Sequence, residues 1–258
     1  FESQLPSGPS PSSHSAAMQQ FEKSRALFSM GMQVDPQHGP LYHAYGNMEL
    51  RQGNISGARE VFTRGIALNA SDVTSLYHAW GLLEVHEAGA HVAGHIFRRG
   101  IDLGLRGNRE VEQGVQFLLH SLGTLEMSGR RFREALRVFS TGTAIFPRHS
   151  HLLLGRALAH LRTGDWDAAR DDFRKSVDAD PCHAHAWQAW AVAEKQSGNL
   201  ELARVLLRKG LKRNPDHGAL WQAFAVLEMQ ADNVDVARTL FEQSVERCPG
   251  HAQSYQAW

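Results

Sequence analysis

AWQAWAVAEKQSGNLELARVLLRKGLKRNP, residues 186–215, returns 34 positions later as LWQAFAVLEMQADNVDVARTLFEQSVERCP, residues 220–249. Each copy opens with two aromatic residues three apart, Trp187 and Trp190 or Trp221 and Phe224, and a glutamate four further on, Glu194 or Glu228. Positions i, i+3 and i+7 share one face of a helix, so this is a first helix with a buried stripe. A polar turn follows, Ser197-Gly198-Asn199 in the first copy, where glycine tolerates the left-handed conformation that ends a helix. A second helix then carries Ala203-Arg204, Leu207 and Gly210 before Pro215 stops it.

The second-helix pattern runs the length of the chain. Its large apolar residue falls at Phe28, Phe62, Phe97, Phe139, Phe173, Leu207 and Phe241, at intervals of 34, 35, 42, 34, 34 and 34. Four residues earlier stands a small side chain (Ser24, Ala58, Ala93, Ala135, Ala169, Ala203, Ala237) and three later another (Gly31, Gly65, Gly100, Gly142, Ser176, Gly210, Ser244). Small residues flanking a large one mark a helix face that approaches its neighbour closely. Prolines at 36, 147, 181, 215 and 249 close most copies. The first-helix stripe recurs as Tyr42, Tyr45 and Glu49, as Tyr77, Trp80 and Glu84, and begins again at Tyr255 and Trp258. A helix pair cannot bury its apolar face alone, so the pairs stack.

These residues resemble the tetratricopeptide-repeat superfamily and, within it, the HAT (half-a-TPR) branch, whose first helix reads Trp-x-x-Trp/Tyr-x-x-x-Glu and whose second reads Ala-Arg-x-x-Phe. Ala58-Arg59, Ala169-Arg170, Ala203-Arg204 and Ala237-Arg238 carry the second motif. The resemblance covers residues 18–258 and implies an all-α, right-handed superhelical solenoid of antiparallel two-helix repeats, first helices on the concave side. Trp-x-x-Trp-Ala-Val-x-Glu with Gly-Asn-x-x-x-Ala-Arg is most similar to plastid HAT proteins that protect and process messenger RNA. Three stretches depart from the pattern. Residues 1–17, rich in Ser and Pro, read as a flexible arm; the 42-residue interval places an insertion near 103–117; and the copy at 150–180 lacks the aromatic pair and has His160 in place of the glutamate.

Composition bounds the function. Twenty-seven Lys plus Arg balance 27 Asp plus Glu across the 258 residues, so any nucleic-acid partner needs a local basic face. Candidates are Arg98-Arg99, Arg130-Arg131-Arg133, and Arg208-Lys209 with Lys212-Arg213, although such clusters also simply solvate helices. Cys182 and Cys248 lie far apart in sequence and have no CxxC spacing, and although a histidine follows three residues after each, His185 and His251, a reducing setting without a disulfide framework or structural zinc site is expected. The pair His183-x-His185, even with Cys182 beside it, is a single isolated cluster without a second ligand pair in pattern, and no cofactor or metal is expected. No phosphate loop, HExxH or GxSxG setting occurs, so a catalytic role is not expected. No window approaches the roughly 20 apolar residues of a membrane span, so a soluble protein is expected. The start at Phe1 reads as an excerpt of a longer chain.

One column of the first helices points away from the aromatic stripe: His43, His78, His120, Leu154, Gln188, Gln222 and Gln256. Arg51, His86 and Lys195 lie near the ends of the same helices. Such a ladder of His and Gln offers hydrogen bonds to base edges, phosphate or peptide amides, and it is also what an ordinary solvated face presents. The resemblance implies a chloroplast factor (alternatively mitochondrial or nuclear) that binds single-stranded RNA along this surface. The competing reading is a protein-binding scaffold inside an RNA-processing or ribosomal particle. The glutamate and arginine ten residues apart across each turn, Glu49 with Arg59 or Glu228 with Arg238, are expected to form structural pairs.

Overall fold

A computed structural model describes residues 11–68, 70–106 and 114–248, with side chains from residue 18 onward. The described residues form helices and no strand. The chain divides at Leu118/Leu119 into two compact units. Unit 1 holds α1 (Pro11–Val34), α2 (Gly39–Arg51), α3 (Ile55–Ala67), α4 (Val73–Glu87) and α5 (Ala90–Arg106). The boundary falls within α6 (Val115–Ser128). Unit 2 continues with α7 (Phe132–Ile145), α8 (Ser150–Thr163), α9 (Trp166–Ala179), α10 (Ala184–Gln196), α11 (Leu200–Arg213), α12 (Gly218–Gln230) and α13 (Val234–Arg247).

The seven-member Phe/Leu series lies on α1, α3, α5, α7, α9, α11 and α13, one per second helix. Phe62, Phe97, Phe139, Phe173, Leu207 and Phe241 are all fully enclosed. Their rings set the identity of the facing residue: a Cβ on Gly46 would lie 2.2 Å from Phe62, and one on Gly81 2.2 Å from Phe97. Large and small side chains thus interlock as close packing requires. The glycine at the other side of the series works the same way, since a Cβ on Gly65 would lie 2.7 Å from Leu76 and one on Gly210 2.8 Å from Trp187.

The first aromatic of each first-helix stripe is buried, the second is buried at Phe224 and partly buried at Tyr45, Trp80 and Trp190, and several of their polar tips are satisfied. The first donates to the carbonyl of the proline six residues before it: Tyr42 to Pro36 at 2.9 Å, Trp187 to Pro181 at 2.9 Å and Trp221 to Pro215 at 2.7 Å. The second stacks on the preceding second helix, Tyr45 on Phe28 at 5.3 Å and Trp190 on Phe173 at 6.3 Å. Its indole, in Trp80 and Trp190, donates to the glutamate one turn on, at 2.9 and 3.1 Å.

That glutamate does not pair with the arginine ten residues after it. Glu49 receives both guanidinium N–H groups of Arg25, Glu84 those of Arg59, Glu194 those of Arg170 and Glu228 those of Arg204. Each arginine therefore reaches forward 24 or 25 residues to the next helix pair. The turn asparagine completes the group: Asn54, Asn199 and Asn233 donate to Glu49, Glu194 and Glu228. Where Gly94 and Leu136 replace the arginine, the arrangement changes. Glu126 pairs with Arg131 inside its own turn, and at His160 the load passes to a forked Arg156–Asp172 pair.

α1 begins at Pro11, inside the stretch 1–17 expected as a flexible arm, at a position where a missing N–H costs a first helical turn nothing. Residues 1–10 lie outside the described residues. Of the expected insertion, 103–106 lengthen α5, 115–117 open α6, and 107–113 lie outside the described residues. No described helix is long and apolar enough to cross a membrane.

Candidate functional site

In unit 2 the first helices leave a groove between them. Its larger part, about 440 Å³, lies over α8 and α10 and is lined by Leu154, Leu158, His185, Gln188, Val192 and Gln196, with Trp166 and Arg162 at its margin. A second part of about 220 Å³ lies over α10 and α12, lined by Gln188, Val192, Lys195, Gln222, Ala223 and Val226. Gln188 and Val192 belong to both. The walls follow helical spacing, with members at i and i+4: Leu154/Leu158, Gln188/Val192 and Gln222/Val226. Gln188 Nε2 donates to the Ala219 carbonyl at 3.4 Å, which ties the α10 wall to α12.

The polar column is therefore brought together in part. Gln188, Lys195 and Gln222 share the unit 2 groove. His120 does not line it; its ring packs against Phe139 at 6.4 Å and His151 at 6.0 Å. In unit 1, His43 lies 3.3 Å from the Asn47 amide, and His78 is wedged between Phe97 and Phe117, 6.2 Å from each. Burial, followed by the nearby His43, holds the His78 imidazole below its ordinary 6.5. Arg51 and His86 are exposed near the helix ends, and Gln256 lies outside the described residues. Leu158, Val192 and Val226 escape a reading of single positions. The residue four after each column member finds them: Asn47, Leu82, Thr124, Leu158, Val192 and Val226 are one column, apolar at Leu82 and again from Leu158 onward.

Two of the basic candidates have partners of their own. Arg131 is bound to Glu126, and Arg208 lies over the Phe224 ring at 5.8 Å. Arg25, Arg59, Arg170 and Arg204 neutralise buried glutamates.

Models of the tetratricopeptide repeat match residues 120–182 and 184–227, the stretch that builds this groove. Over residues 120–182 and 184–227 the chain is similar to tetratricopeptide repeats. Among solved structures, a tetratricopeptide repeat protein from Parabacteroides merdae superposes with a TM-score of 0.62 at 15% identity, covering 85% of this chain and 83% of that one. The Cut9–Hcn1 heterotetramer of the APC/C gives 0.61 at 16% identity over 92% of this chain, which spans only 45% of the length of its counterpart. YrrB, described as a TPR protein with an unusual peptide-binding site, gives 0.52 at 19% identity, covering 76% of this chain and 96% of YrrB. At these identities the likeness concerns the tetratricopeptide fold alone. No curated protein matches the sequence.

Proposed function

We propose that the chain is a protein-interaction scaffold whose unit 2 groove takes up an extended segment of a partner protein. One observation carries this reading: Leu154, Leu158, Val192 and Val226 line the groove beside the amides of Gln188 and Gln222. Apolar side chains desolvate a partner's side chains, while glutamine amides both donate to and accept from a peptide backbone. A phosphate backbone asks for cations in series, and the groove offers Arg162 and Lys195. The finer reading, an organellar factor for single-stranded RNA, rests on the HAT-like motifs and on the His/Gln column.

A library of displayed peptides selected against the whole chain tests the proposal. Recovered peptides are expected to bind the parent and to lose binding to Leu158→Asp and Val192→Asp. Tight, salt-sensitive binding of single-stranded polyribonucleotide that survives both substitutions, with no peptide recovered, would overturn it in favour of RNA.

A further inference from the structure

The connections between helix pairs carry a second motif. Pro147-Arg148-His149, Pro181-Cys182-His183 and Pro215-Asp216-His217 place a histidine directly before α8, α10 and α12. That is the capping position, where Ser, Thr, Asp or Asn is usual. His151 and His185, two residues on, join them in an unbroken row of rings. Centroids are 5.8 Å apart from His149 to His151, 4.1 Å from His151 to His183, 6.4 Å from His183 to His185 and 5.3 Å from His185 to His217. The His151 and His183 rings are stacked at 28°. His183 is buried, its Nδ1 2.5 Å from Ser150 Oγ, which in turn lies 2.9 Å from Ser176 Oγ.

Three features of this arrangement suit neutral imidazoles. His149 Nδ1 accepts the Leu152 N–H at 3.4 Å, which an imidazolium, having no free lone pair, cannot do. A proton on His149, His183 or His217 also sets positive charge at the positive end of a helix. On His183 it would sit enclosed against His151. We propose that the five histidines form a proton-operated joint: neutral, they hold the leading ends of α8, α10 and α12 together, and protonated, they loosen that end of unit 2.

The surroundings determine the direction. α6 contributes His120, 6.0 Å from His151. The connections contribute Arg148, Cys182 and two carboxylates, Asp180 and Asp216, while α9 contributes the Ser176 hydroxyl. Asp180 favours a charged His183, but burial, then His151, and less strongly His185 and His120, oppose it and bring His183 down to about 4. Burial, then His151, also lowers His149. Because these folded values lie below the ordinary 6.5, the stabilisation is complete above 6.5 and is lost as pH falls toward 4. Among the described residues no three His, Cys, Asp or Glu side chains gather as a metal site, so the row is read as proton-binding.

Amide hydrogen exchange of the whole chain at pH 7.5 and 5.5, corrected for intrinsic rates, tests the joint. The parent is expected to lose protection about tenfold over α8 and α10, the effect at pH 5.5 of one group moved from 6.5 to about 4. His183→Gln should abolish most of that loss. His151→Gln, at an exposed position that does not threaten folding, should reduce it, and His86→Gln on α4 should leave it intact. An unchanged loss in the His151 and His183 variants, or none in the parent, would overturn the proposal.

Discussion

Glu194 is 1% exposed and accepts hydrogen bonds from Arg170, Trp190 and Asn199, that is, from the preceding helix pair, its own helix and the following turn. Burial alone would raise its pKa; Arg170, then Asn199 and Trp190, reverse this and hold it below 4.5. Glu49 and Glu84 are lowered chiefly by Arg25 and Arg59, and Glu228 by Arg204 and Asn233 against burial. With folded values depressed, these carboxylates stabilise the fold above 4.5, and that contribution disappears as pH falls through their folded values. Glu194→Gln should therefore lower stability near neutrality by about 1–3 kcal/mol, as expected for hydrogen bonds to a charged group, and should flatten the acid limb of a pH–stability curve. A double-mutant cycle is more discriminating. Glu194 and Arg170 should couple, whereas Glu194 and Arg204 should be additive within about 0.5 kcal/mol. Sequence alone misplaces this partner for an arithmetical reason. Arg204 lies 10 residues after Glu194 and 24 before Glu228, so a 34-residue period offers both pairings and only the stacking selects one.

Helices and turns are legible in the sequence because their signals are short-range and repeat. Period, small–large–small spacing and terminal prolines place all seven second helices, and the aromatic stripe places the first helices that carry it. The start of α1 is not legible, since Ser and Pro favour a coil by composition yet are tolerated in a first turn. Close approach gives the test at this scale. Gly210→Leu must push α11 away from Trp187, and overpacking of this kind costs about 1–3 kcal/mol; a melting temperature equal to the parent's would show that the packing face is misassigned. The turns give a test of opposite sign. Gly198 sits at φ +86° with open space where a Cβ would stand, while Asp232, 34 residues later, holds the left-handed conformation at φ +62°. Asp232→Gly should therefore raise stability, by no more than about 1–2 kcal/mol, by relieving a conformation unfavourable to a side chain. Gly198→Ala should lower it by a similar amount.

Across the molecule the two units share one helical pattern and differ in what their first helices present. The column and its i+4 neighbours read His43, Asn47, His78 and Leu82 in unit 1, and His120, Thr124, Leu154, Leu158, Gln188, Val192, Gln222 and Val226 in unit 2, apolar in its i+4 members from Leu158 onward. The polar part of the candidate site is thus visible from single positions, and the apolar part is hidden because valine and leucine on a helix read as core until burial is known. Val192 is 38% exposed, so it is available to a partner. His78 is not an equivalent contact, since its ring is packed between Phe97 and Phe117, and replacing it would disturb unit 1. The binding test is therefore confined to unit 2. With a peptide selected against the chain, Gln188→Ala and Gln222→Ala should each weaken binding about threefold to tenfold, the range of one net hydrogen bond. Melting should barely change, because alanine favours helix and neither side chain is core. Lys195→Ala should leave the dependence on salt nearly flat for such a peptide. For RNA it should instead reduce a steep salt slope by about one, since each phosphate contact releases a nearly fixed number of counterions. Titrating both ligands against the same variants at two salt concentrations separates the readings, and unchanged peptide affinity in the double glutamine variant would remove these amides from the contact surface.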